Sequence, residues 1–156
     1  MLQILIVCTG NTCRSPMAEV LLKDKIKKRN VTEQIAVSSA GIAVWGEGEA
    51  SVGAQTVMKQ RGIDLVSHRS RRLFLEDVAA ADLVLTMTAG HKAAVLSIMP
   101  EARHKVFTLA EFAGGHKDIS DPYGGNTDIY EACAVEIENS LENSWCKILE
   151  LAGKMN

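Results

Sequence analysis

Five residues separate Cys8 from Arg14 in the run CTGNTCRSP, Cys8–Pro16, which follows the apolar residues Leu2, Ile4, Leu5, Ile6 and Val7 directly. Between a strand and a helix, such a loop can cradle a phosphate, because its backbone N–H groups and the positive end of the helix dipole face one point. The loop is formed by Thr9, Gly10, Asn11, Thr12 and Cys13. Gly10 is expected to let the backbone turn inward with no side chain in the way. Arg14 can fork N–H donors onto two phosphate oxygens and never loses its charge. The same field favours a thiolate at Cys8, and a thiolate on the floor of an anion cradle can attack phosphorus in line. Ser15 can give that thiolate a hydroxyl hydrogen bond, and Asn11 can stiffen the loop through backbone contacts. Other readings of two cysteines in so short a stretch are a redox pair, a metal site, or an ordinary turn with incidental cysteines. CX5R alone is a modest signal; its position between an apolar strand and a helix begun near Pro16 strengthens it.

Phosphoryl transfer also needs a proton for the leaving group. Many carboxylates could supply it, so position has to decide. Asp121 lies in SDPYGG, where Pro122, Gly124 and Gly125 set a tight excursion before the last helix. Asp118, three residues earlier, is the local competitor, and its alternative role is that of a solvated turn residue. Position favours Asp121.

The elements that must hold these groups follow from periodicity. Strands are expected over Leu2–Val7, Gln34–Ser39, Asp82–Met87 and His104–Leu109, each rich in Val, Ile or Leu. Helical spacing covers Pro16–Arg29, with Ala18, Leu21, Leu22 and Ile26 on one face, then Val52–Arg61, stopped by Gly62, and Thr88–Met99, followed by Pro100. From about Thr127 to Ala152 one stripe repeats Ile129, Cys133, Ile137, Leu141, Ile148 and Ala152. The glycine-rich stretch Leu109–Thr127 reads as a long loop. Alternating strands and helices predict an α/β domain with a parallel sheet covered on both faces, and ligands of such sheets bind beyond the carboxyl ends of the strands. Cys8 and Thr88 both fall at such ends.

The 156 residues suit one domain, residues 1–156, with a real core. A formal net charge of −2 argues against nucleic-acid binding through bulk electrostatics. The basic cluster Lys23, Lys25, Lys27, Lys28 and Arg29 reads as a solvated helix end. The N-terminal apolar run is too short to span a membrane and lacks a basic leader, so neither membrane nor export is indicated and a cytoplasmic location is expected. Cysteines at 8, 13, 133 and 146 form no CxxC pair, so no structural metal is expected. Cys133 and Cys146 read as small buried hydrophobes.

VCTGNTCRSPMAE at Val7–Glu19, with DPYGG at Asp121–Gly125, resembles the low-molecular-weight protein-tyrosine-phosphatase family. The resemblance extends over nearly the whole chain, through SSAG at Ser38–Gly41, GIDLVSHRSRRL at Gly62–Leu73 and ADLVLTMT at Ala81–Thr88. It implies a four-stranded parallel sheet flanked by helices on both faces, a cysteinyl-phosphate intermediate, and no metal or other cofactor. By match of motif, Cys8 is the nucleophile, Arg14 the phosphate clamp and Asp121 the general acid and then base, with Asn11 and Ser15 at the loop-supporting and thiolate-stabilising positions. The implied partners are phosphorylated proteins, met by a monomer or a weak homo-oligomer.

Within the family, tyrosine-specific members usually carry Ile or Leu where this chain has Thr12. Members acting on protein arginine carry Thr, and CTGNTCRSP resembles theirs, so phosphoarginine is the expected substrate. Trp45 pulls toward phosphotyrosine, because it falls where tyrosine-specific members place an aromatic wall, and Tyr123 can line either pocket. Thioredoxin-coupled arsenate reductases share the loop but need further cysteines after the third strand, and TMTAGHKAAVLSIM has none. A phosphate-binding module without activity is the remaining alternative, although such proteins usually lose the nucleophile or the acid. Cys13 is either a small residue packed beneath the loop or a partner for a reversible disulfide with Cys8.

Overall fold

In β1, Leu2–Cys8, every residue except Gln3 is buried, the mark of a central strand in a parallel sheet covered on both faces. The computed structural model describes residues 1–155, and Asn156, the last residue of the expected domain, lies outside the described residues. β2 (Ile35–Gly41), β3 (Leu83–Thr86) and β4 (Val106–Thr108) complete a four-stranded sheet in the order β2-β1-β3-β4, with every pairing parallel. The helices are α1 (Arg14–Lys28), α2 (Val52–Gln60), α3 (Leu75–Ala80), α4 (Ala89–Ile98), α5 (Leu109–Phe112) and α6 (Thr127–Lys154). Among the described residues no helix is long and apolar enough to cross a membrane.

Alternation along β1 divides the core. Leu2, Ile4, Ile6 and Cys8 pack with Met17, Leu22, Met58, Ile137 and Ile148 from α1, α2 and α6. Leu5 and Val7 face the other way, among Val78, Val84, Val95 and Val106. Arg61, just past α2, forks onto Glu131 at 2.7 Å from both carboxylate oxygens and reaches Glu138 at 2.7 Å, docking α2 on α6. Gly62 follows with φ +73°, the left-handed turn that ends the helix.

The strand order decides where a ligand can bind. β1 has β2 on one side and β3 on the other, so the connections leaving β1 and β3 diverge and open a crevice at their carboxyl ends. Cys8 ends β1, and the cradle loop lies in that crevice.

Several expectations from periodicity are corrected. α3 and α5 have too few residues to show a helical period, so the sequence pattern missed both. α5 occupies the start of the stretch expected to be loop, held by a capping box in which Thr108 and Glu111 satisfy each other's backbone N–H. His104 and Lys105 belong to a 3-10 helix, Pro100–Lys105, rather than to β4. Ile129 is half exposed, and Tyr130 takes its place on the buried stripe of α6. Cys146 is exposed, not a buried hydrophobe, because the heptad-like stripe passes through Trp145 instead.

Candidate active site

The loop from Cys8 to Arg14 is held from below by the chain that follows β2. Ile42 N–H donates to Cys8 O at 3.0 Å, Ala43 N–H to Thr9 O at 2.9 Å and Ser51 N–H to Thr12 O at 2.9 Å. That approach depends on Gly41, where a Cβ would lie 2.6 Å from Thr9 O and 3.0 Å from Asn11 N. The left-handed residue that turns the loop inward is Asn11, with φ 54°, and not Gly10 as expected. Asparagine tolerates this conformation better than most residues because its short side chain bonds locally.

The Asn11 side chain is fully buried, and its hydrogen bonds can be oriented without ambiguity. Arg71 N–H can only donate, and it reaches Asn11 Oδ1 at 3.0 Å. Asn11 Nδ2 therefore donates, to Ser15 Oγ at 2.8 Å and to Ser39 Oγ at 2.9 Å. Ser39 Oγ in turn donates a hydrogen bond to the Glu19 carboxylate. Ser15 Oγ, which accepts from Asn11, lies 2.9 Å from Cys8 Sγ, and when Cys8 is a thiolate, which can only accept, the hydroxyl donates to it. A hydroxyl donor aimed at sulfur stabilises a thiolate more than a thiol, and Cys8 also faces the N-terminus of α1. We expect Asn11→Ala to cost about 2–3 kcal/mol of stability, since it orphans buried polar partners and puts Ala in a left-handed conformation. A lower urea midpoint at unchanged slope is the check; a loss below about 0.5 kcal/mol would show the network to be dispensable.

Other side chains grip the loop from its rim. His68 Nε2 donates to Asn11 O at 2.8 Å, and since a carbonyl only accepts, the proton must be on Nε2. Cys13, buried beneath the loop, has its Sγ 3.3 Å from both Ser51 Oγ and Tyr130 Oη. Burial, together with the bond to Cys13, pushes the Tyr130 phenol up to about 12. His91 Nε2 lies 2.8 Å from Thr9 Oγ1. Burial first, and then the nearby Arg14 charge, bring His91 down to about 4.

Arg14 is 5% exposed and arrives at the cradle already positioned. One terminal nitrogen donates to Ile119 O at 3.0 Å, and the other lies 3.6 Å from Asp121 Oδ2. Asp121 is half exposed, and its Oδ1 accepts Tyr123 N–H at 3.1 Å in a turn that points the second oxygen at the site. The segment before it is tied down one residue at a time. Asp118 accepts Ala89 N–H at the start of α4 at 3.0 Å, Ile119 N–H donates to Met87 O at 3.0 Å, and the Cys133 thiol donates to Ser120 O at 3.6 Å. Asp118 therefore serves as a helix-capping residue.

These groups surround a cleft of about 260 Å³ lined by Cys8, Thr9, Gly10, Thr12, Cys13, Arg14, Asp121 and Tyr123. Trp45, expected as an aromatic wall, is not among the lining residues: it is 97% exposed and projects into solvent from the loop after β2. Ser39, His68, His91, Ile119 and Tyr130 serve the site without having been singled out from their residue types. Ser39 and His68 do lie inside the stretches SSAG and GIDLVSHRS that carried the resemblance.

A thiol at a helix N-terminus, an arginine beside it and a carboxylate at its mouth, set at a switch point of a parallel sheet, make a cysteine-dependent protein phosphatase, a hydrolase. More narrowly, the chain belongs to the low molecular weight phosphotyrosine protein phosphatase family, whose model matches residues 3–152. A protein-arginine-phosphatase of Geobacillus stearothermophilus is 44% identical over 141 residues, 90% of this chain and 91% of that protein. A low molecular weight protein-tyrosine-phosphatase of Streptomyces coelicolor is 34% identical over 143 residues, 87% of each. Among solved structures, a cysteine-to-serine mutant of the YwlE arginine phosphatase with a phosphorylated active site serine superposes with TM-score 0.86 at 39% identity, covering 99% of this chain and 95% of that one.

Proposed function

We propose that the protein removes phosphoryl groups from arginine side chains of proteins through a cysteinyl-phosphate intermediate. Cys8 thiolate attacks phosphorus, the P–N bond breaks, and Asp121 gives its proton to the leaving guanidino nitrogen. Arg14 and the loop N–H groups hold the charge on the transferring phosphoryl oxygens. Asp121, now a carboxylate, takes a proton from water as that water attacks phosphorus; the P–S bond breaks, releasing inorganic phosphate and restoring the Cys8 thiolate. The phosphorylated active site serine of the YwlE mutant supports a covalent step on the corresponding side chain.

The observation that carries the choice of substrate is Thr12 in the cleft wall, a hydroxyl where an aliphatic side chain would suit a phenyl ring better. The 44% identity to a protein-arginine-phosphatase, against 34% to the tyrosine phosphatase, supports the same reading. Phosphotyrosine is the second reading, favoured by Tyr123, an exposed ring lining the cleft. It loses the support of Trp45, which does not line the cleft. The test is kcat/KM on matched phosphoarginine and phosphotyrosine peptides. A preference for phosphoarginine is expected, and Thr12→Ile should move the ratio toward phosphotyrosine by about tenfold or more, as for a polar group replaced in a built pocket. A strong phosphotyrosine preference in the wild type would sink the assignment.

A further inference from the structure

Thr9 and His91 form a pair that the chemistry above does not use. Thr9 is exposed and lines the cleft with Thr12 and Tyr123. His91, in the first turn of α4, is 5% exposed. Its backbone N–H is capped by Thr88 Oγ1 at 3.1 Å, which sets the ring's starting point. The ring's polar partner among the described residues is Thr9 Oγ1, at 2.8 Å, and Nδ1 has none. The charged groups acting on the ring are Arg14, Asp118 and Asp121, and with burial dominant the imidazole is neutral at neutral pH.

A neutral ring allows two arrangements. If Nε2–H donates, the Thr9 oxygen keeps one lone pair and its own proton; if Nε2 accepts the Thr9 proton, the oxygen keeps two lone pairs. Either way the hydroxyl oxygen of Thr9, a residue lining the cleft, keeps a free acceptor site, with its rotamer fixed by a buried partner. Thr12, by contrast, has as its hydroxyl partner among the described residues only the Cys13 sulfur at 3.6 Å, so Thr9 is the better oriented of the two hydroxyls. The leaving groups differ in what they offer: a guanidinium carries N–H donors around its plane, and a phenyl ring carries none.

We propose that Thr9, oriented by His91, is a second specificity residue that accepts a hydrogen bond from a guanidinium N–H of the arginine leaving group. The inference rests on the phosphoarginine reading. Thr9 touches the substrate; His91 is a positioning residue that acts through it.

The experiment measures kcat/KM on matched phosphoarginine and phosphotyrosine peptides for the wild type, Thr9→Val, Thr9→Ser, His91→Phe and the double variant Thr9→Val with His91→Phe. Thr9→Val should lower the phosphoarginine-to-phosphotyrosine ratio about tenfold, the scale of one hydrogen bond to a charged group, and Thr9→Ser should restore most of it. His91→Phe should lower the ratio in part and add nothing in the Thr9→Val background, because one removed contact cannot be removed twice. A packing role alone would change stability and both rates together while leaving the ratio fixed. An unchanged ratio in Thr9→Val, in a protein whose wild type prefers phosphoarginine, overturns the inference and leaves the substrate standing; additive effects in the double variant overturn the positioning role of His91. Should His91→Phe fail to fold, the Thr9→Val and Thr9→Ser pair decides. A wild type that does not turn over phosphoarginine overturns the substrate reading and this inference together.

Discussion

Cys8→Ser is expected to reduce kcat on para-nitrophenyl phosphate by about 10⁴-fold or more, while the protein unfolds near the wild-type temperature. The loss is chemical. Ser15 and the N-terminus of α1 can stabilise a thiolate, but they cannot ionise an alcohol whose proton is held far more tightly. The fold should tolerate the change because the new hydroxyl is smaller than the thiol it replaces and keeps Ser15 as a partner. Initial-rate assays with a thermal melt are the check. A variant retaining more than about a hundredth of wild-type kcat would mean that another group is the nucleophile. The same pair of proteins separates an enzyme from a phosphate-binding module, since only an enzyme has turnover to lose.

Asp121→Asn should cost about 10²–10³-fold in kcat, with the loss larger for poor leaving groups than for good ones. Asparagine keeps the oxygen that accepts Tyr123 N–H and so preserves the turn, but it has no proton to give and no carboxylate to receive one from water. The leaving-group dependence is the sharper readout: an aryl phosphate with an acidic phenol departs with little help, while a guanidino nitrogen or an alkyl alcohol does not. Equal losses across leaving groups would place Asp121 outside proton transfer. Asp118→Asn is the natural comparison. Asp118 caps α4, so its loss should appear mainly in stability, by about 1 kcal/mol, the typical worth of a cap.

Much of the site was legible because its chemistry is local. Cys8, Asn11, Arg14 and Ser15 lie close together where β1 ends and α1 begins, and the roles proposed for them follow from what a helix N-terminus does to anions. The turn-forming residues around Asp121 favour it over Asp118, and in the structure Asp121 lies against Arg14 while Asp118 serves a helix end. The expectation for Gly10 failed for a local reason as well. The positive φ falls one residue later, where the Asn11 amide needs that conformation to reach Ser15, Ser39 and Arg71 together. For Trp45 the resemblance implied a wall, but it lies outside the cleft lining, because a loop's path over a surface is set by its anchors, here Ala43 on Thr9 and Ser51 on Thr12.

By itself, then, the amino-acid sequence determined the reaction class: candidates for a nucleophile, a clamp and an acid whose types and spacing leave few other chemistries, on strands whose apolar runs call for a buried parallel sheet. Tertiary structure decided what surrounds them. The residues that hold the cradle come from far along the chain, Ser39, His68, His91, Ile119 and Tyr130, and such contacts carry no sequence period. They meet only because β1 is central in the sheet and the crossings from β1 and β3 part at its carboxyl end. Whether a hydroxyl in the cleft is free or oriented is likewise a fact about distance, and for Thr9 that distance is 2.8 Å to a buried imidazole 82 residues away.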